Sequence, residues 1–167
     1  MTDMRHLLAQ TAAEEGYRSA PYKDSRGLWT VGEGRCLETH PLAGAEWKAL
    51  LDAREIGVSL MLAGAQRLMR EELLAVEAQL AHDYQDFWPK LTDARQNALI
   101  EMAYQMGVEH EEEFRNMLGD IRVAVALDTP DAWAKVKAAG LASAWATQTP
   151  ARADRVMTQL ATGVFAP

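Results

Sequence analysis

A chain of 167 residues, 49% hydrophobic and 25% charged, is long enough to bury a genuine core as one domain, and no stretch reaches the apolar length of a membrane span. Its 17 Lys and Arg against 24 Asp and Glu leave a net charge of -7, which argues against nucleic-acid binding, because that rests on neutralising phosphates with cations. The single Cys36 excludes an intramolecular disulfide, and His6, His40, His82 and His110 show no metal-ligand spacing with one another or with Cys36, so neither metal nor cofactor is expected.

In chain order, Met4, Leu7, Leu8 and Ala12 recur at the spacing of an amphipathic helix over 3–14, with Thr2 and Asp3 at its start and Gly16 at its end. The segment to Gly34 changes texture. The turn-forming run Asp24-Ser25-Arg26-Gly27 precedes Leu28-Trp29-Thr30-Val31, which is rich in strand formers, and a small hairpin sheet is expected. After Pro41 nearly everything reads as helix. Ala43 to Glu55 is one candidate, and Ser59 to His82 is a single long one. Asp93 to Met106, capped by Thr92, is apolar around most of its circumference and is expected to be a buried central helix. Further helices are expected near 112–127, 130–139 and 150–161, with Pro130 and Pro150 each following a threonine as at a helix start. The run Glu109 to Glu113 suits a solvated helix start. The architecture is then α+β, mainly α: a small β-hairpin lobe (about 16–58), a long connecting helix, and a helical lobe (about 59–167 plus the helix 3–14), with a ligand cleft between the lobes of one domain spanning 1–167.

The chemistry concentrates early. Glu15 lies at the C-terminal end of the first helix, where unpaired carbonyls carry partial negative charge, and Glu14 adjoins it. Both favour the protonated carboxyl that a general acid needs. Asp24 lies in a polar turn, where backbone donors and solvent are expected to keep it ionised. Thr30 offers a hydroxyl that can hold a water beside it. Two carboxyl groups in contrasting environments are the pattern of glycoside hydrolysis, although a bare Glu and Asp in a glycine-rich hairpin are more often only a solvated turn.

Order and spacing add to this. Glu15-Gly16, Arg18, Tyr22-Lys23-Asp24, Gly27, Thr30, Gly32 and Gly34 resemble the catalytic segment of the phage T4-type lysozymes (glycoside hydrolase family 24). Ala98 to Gly107, followed by Phe114 and Asn116, is similar to that family's buried central helix. Trp145, Gln148, Thr149 to Val156, and Thr162-Gly163 are similar to its closing helix. The resemblance runs from about residue 7 to 163 and is weak between 36 and 92. It implies that Glu15 is the acid for the bond between N-acetylmuramic acid and N-acetylglucosamine, with Asp24 and Thr30 activating water for hydrolysis with inversion. It implies that Arg152 pairs with the acid, opposing the helix-end effect. Gly34, Tyr104, Gln105, Phe114 and Asn116 are implied to bind saccharide, although aromatics such as Tyr104 and Trp145 within helical blocks are more often core. Trp29, Trp47, Trp88 and Trp133 have no special claim, and Arg18 reads as an exposed charge.

The expected partner is bacterial peptidoglycan, attacked by a monomer with no nucleic acid and no stable membrane insertion. The N-terminus lacks a basic leader followed by an apolar segment. The expected role is therefore an endolysin held in the host cytoplasm until holin-dependent release, and acting in the periplasm. Arg35 stands where the family usually has His, Glu33 inserts a charge between two glycines, and the net charge is acidic where relatives are often basic. Three alternatives stay open: a tail-associated or toxin-delivered lysozyme, a lytic transglycosylase, and a non-catalytic wall-binding module. Asp24 and Thr30 count against the last two.

Overall fold

The computed structural model describes residues 3–32, 34–39, 62–106 and 114–166. The expected helix at 43–55, Trp47, Glu33 and the acidic run 109–113 lie outside the described residues. Along the chain run α1 (Met4–Glu15), β1 (Arg18–Lys23), β2 (Trp29–Gly32), β3 (Arg35–Cys36), α2 (Leu62–Asp83), a 3-10 turn (Trp88–Lys90), α3 (Asp93–Met106), α4 (Arg115–Leu127), α5 (Pro130–Leu141), α6 (Ala144–Gln148) and α7 (Pro150–Thr162). Among the described residues the fold is mainly helical with one small antiparallel sheet, an α+β architecture. It divides into two compact units, one of residues 8–72 and one of residues 1–7 and 73–167.

In the unit of residues 8–72 the sheet has the order β1-β2-β3. Tyr22 pairs with Thr30 and Lys23 with Trp29, and the register slips between Arg18 and Tyr22. Pro21, lying in that interval with no N–H to give, accounts for the interruption. Thr30 and Val31 pair in turn with Cys36 and Arg35. The turn between β1 and β2 closes through Gly27 at φ +81, a left-handed conformation that glycine adopts without penalty.

The helical unit is organised around α3 and α7. Ala94, Ala98, Leu99, Ile100, Met102 and Ala103 of α3 are all buried, as its apolar circumference predicts. Val156, Met157 and Leu160 of α7 are fully buried, as are Val136 of α5 and Ile121 of α4. At Gly140 a Cβ would collide with Met157 Sδ, so α5 and α7 pack closely there. Polar groups that enter this core are bonded. Gln159 Nε2 donates to the Ala94 carbonyl at 2.9 Å and Gln96 Nε2 to that of Trp88 at 3.0 Å.

Helix boundaries follow their local chemistry. Thr92 accepts from the Arg95 amide, Thr129 from that of Ala132 and Ser143 from that of Ala146. Gly163 ends α7 in a left-handed conformation. Arg95 then secures that end: it donates to the carbonyls of Leu160 and Ala161 while lying 3.7 Å over the Trp133 ring. Burial pulls the Arg95 pKa below its ordinary value, and Asp128 opposes the shift.

Candidate functional site

Glu15 is the last residue of α1, and the helix stops there because Gly16 turns left-handed at φ +66 with its amide on the Ala12 carbonyl, 3.1 Å away. The Glu15 side chain is half-buried. Against it lies the backbone of Gly34. A Cβ at residue 34 would stand 2.9 Å from Glu15 Oε2 and 3.3 Å from its Cδ and Cγ, and Gly34 also has φ +90. The turn therefore favours glycine at this position, and any larger residue would also have to displace the Glu15 carboxylate.

Asp24 follows β1 and folds its carboxylate back over the turn. Oδ1 accepts from the amides of both Leu28 and Arg26, each at 2.9 Å. Oδ2 lies 3.7 Å from Arg26 Nε, whose side chain is mostly exposed. The Leu28 amide, the largest influence, holds the Asp24 carboxyl below its ordinary value of 3.8 against desolvation, with the Arg26 amide and guanidinium adding to it. This is the ionised carboxylate that the sequence leads one to expect in such a turn.

Thr30 is buried on β2, and its hydroxyl donates to the Leu28 carbonyl at 3.4 Å. The Asp24 amide donates to the same oxygen at 3.0 Å. Residue 28 thus ties both groups through its backbone, its N–H holding the Asp24 carboxylate and its C=O receiving the Thr30 hydroxyl. Tyr22, the pairing partner of Thr30, links this arrangement to Glu15. Burial pushes its phenol above 10.0; Arg18 opposes that, and the charges of Glu15 and Asp24 add to it. Arg18 is exposed but has a defined contact, its guanidinium lying 4.3 Å over the Tyr22 ring. Trp29 is 43% exposed at the start of β2, with Lys23 Nζ 5.5 Å from its ring centre.

The other expected site residues belong to the helical unit. Gln105 Oε1 accepts from Trp145 Nε1 at 2.7 Å. Phe114 is buried and meets Trp145 edge-on with ring centres 6.5 Å apart. Tyr104 is half-buried and Asn116 exposed. Arg152 is 8% exposed, with Nε 3.4 Å from Oε1 of Glu101, and Arg155 grips both oxygens of the same carboxylate. Glu101 is a partner the sequence reading missed. It stands within an apolar block that reads as core, and nothing in its neighbours along the chain announces two arginines from α7.

Among the described residues no group of three or more His, Cys, Asp or Glu is placed to hold a metal ion, and no helix is long and apolar enough to cross a membrane. The unit of residues 8–72 gathers a half-buried carboxyl at a helix end, an ionised carboxylate in a turn and a hydroxyl fixed to the backbone of the same residue, Leu28, as that carboxylate. These can supply a proton and orient a water.

The family model described as phage lysozyme matches residues 12–146. The chain is also similar to the pre-baseplate central spike protein Gp5 of Enterobacteria phage T4, with 30% identity over an alignment of 159 positions that covers 90% of this chain and 26% of that protein. It spans about a quarter of that relative's length. With 135 of its 167 residues inside the family match, the chain belongs to the phage lysozyme family.

Proposed function

We propose that this protein is a muramidase of the T4-type, glycoside hydrolase family 24, hydrolysing the bond between N-acetylmuramic acid and N-acetylglucosamine in peptidoglycan. The observation that carries the reading is the pairing of a helix-end Glu15 packed against Gly34 with an Asp24 held ionised by two backbone amides. In this reading Glu15 protonates the leaving oxygen. Asp24 Oδ1 is committed to the turn, so Oδ2 takes the attacking water, with the Thr30 hydroxyl beside it. Water entering from the face opposite the leaving group gives inversion. Gly34, Tyr104, Gln105, Phe114 and Asn116 serve saccharide binding, and Arg152 is the cation assigned to the acid by family resemblance.

The biological setting admits two readings. As an endolysin the protein acts as a monomer, released through a holin lesion onto the wall. A tail-associated role is favoured by one specific observation, the similarity to a central spike protein. It also suits the net charge of -7: a module carried to the wall needs no long-range attraction to an anionic surface.

Digestion of purified peptidoglycan followed by mass spectrometry tests the chemistry. Reducing muramic-acid ends are expected. Products about 18 mass units lighter, as anhydro-sugars, would instead establish a transglycosylase. Glu15→Gln is expected to reduce turnover about 10²- to 10⁴-fold while leaving the thermal midpoint unchanged, and near-wild-type activity of that variant would remove Glu15 from the mechanism.

A further inference from the structure

Arg35 and Glu72 form an ion pair within the unit of residues 8–72, Nη1 lying 3.2 Å from Oε1 with side chains 13% and 11% exposed. Such a pair is costly to desolvate and is weak ground for stability on its own. Its position is informative. Arg35 directly follows Gly34, whose backbone packs on the Glu15 carboxylate. It opens a strand only two residues long, joined to β2 at Val31 and Thr30. A strand that short has little ladder to hold it. Glu72 reaches it from α2, a helix of 22 residues.

We infer that the Arg35–Glu72 pair is a positioning device for the acid. By tethering β3 to a long helix it fixes the Gly34 backbone against Glu15, and so fixes where the carboxyl can point. The same tether steadies the partner strand that carries Thr30. This rests on the reading of Glu15 as the general acid. Neither Arg35 nor Glu72 is given a chemical step; the pair acts through residue 34.

Steady-state kinetics on soluble peptidoglycan fragments, with urea midpoints for each variant, test this. Arg35→Met and Glu72→Gln are expected to lower kcat about ten- to hundredfold with little change in KM, as misplacement of a reacting group does. Arg35→Lys should restore most of the loss. The double variant Arg35→Met/Glu72→Gln should be no worse than either single one, because the two act as a unit. Wild-type kcat per folded molecule in both single variants, whatever their urea midpoints, would overturn the inference. So would a raised KM at unchanged kcat, which would place the pair at the substrate instead. If either single variant fails to fold, Arg35→Met/Glu72→Met, which leaves no unpaired buried charge, carries the same comparison. Glu15→Gln in the same assay separates the two levels. Turnover by that variant defeats the reading of the acid; its inactivity beside fully active Arg35 and Glu72 variants defeats only the tether.

Discussion

In the helical unit, α3 and α7 are held by broad apolar burial, and each of several helix starts carries its own capping side chain at Thr92, Thr129 or Ser143. In the unit of residues 8–72, the groups that matter are held by directed contacts, among them the amides on Asp24, a carbonyl under Thr30 and a glycine backbone beside Glu15. Burial is redundant, since many side chains share the load and loss of one is spread over its neighbours. Directed contacts are not redundant. Substitutions in the two units should therefore fail differently, the first in stability and the second in turnover per folded molecule.

The sharpest contrast is expected from Gly34→Ala. The added methyl meets Glu15 Oε2 at 2.9 Å and must adopt φ +90, so kcat is expected to fall about a hundredfold or more through displacement of the acid. A comparison of kcat with the circular-dichroism melt checks this; an alanine variant of wild-type kcat would show that the close approach is irrelevant to turnover. Ile100→Ala tests the other side. With Ile100 fully buried, it should cost about 2–5 kcal/mol in urea unfolding, with kcat per folded molecule unaltered at low temperature. A selective loss of kcat there would dissolve the division between the units.

The smallest expected effect is in pH dependence. Asp24 is held below 3.8 in the folded protein, so the unfolded chain takes up that proton first as pH falls. Its contribution to stability is complete above the ordinary aspartate range and is lost as pH drops through the lowered folded value. Asp24→Asn should flatten the stability profile in that acidic window only, leaving the neutral-pH unfolding slope against urea unchanged. An Asn variant whose acid limb matched the wild type would exclude Asp24 from that linkage.

Much of this was legible in the chain itself, for reasons that differ by element. The apolar circumference of α3 announces burial, and Thr92 and Thr129-Pro130 mark helix starts because capping is local chemistry, whereas at Thr149-Pro150 only the proline marks the start, the Thr149 hydroxyl donating back to the Trp145 carbonyl. The turn at 24–27 and the strand after it are legible from Asp, Gly and strand-forming residues in a short window. β3 is not, since two residues carry no periodicity, and α6 is only five residues long. Gly34 is legible as a turn residue, whereas its approach to Glu15 joins positions far apart in the chain. The Arg35–Glu72 and Glu101–Arg155 pairs escape for the same reason: long charged side chains choose partners by three-dimensional placement, which single-sequence patterns do not encode. Arg18 reads as a bare surface charge because a stacking contact with Tyr22 leaves no trace in composition.

The peptide groups of residue 28 carry a consequence for how such proteins change over time. The Asp24 carboxylate and the Thr30 hydroxyl are both bonded to the main chain of Leu28, not to its side chain. Selection acting on the site therefore constrains the backbone there while leaving the identity of the side chain loosely governed, proline excepted because it has no N–H to offer Asp24. Position 28 can drift among relatives and still be indispensable, so that variability at a position and its importance to the reaction come apart.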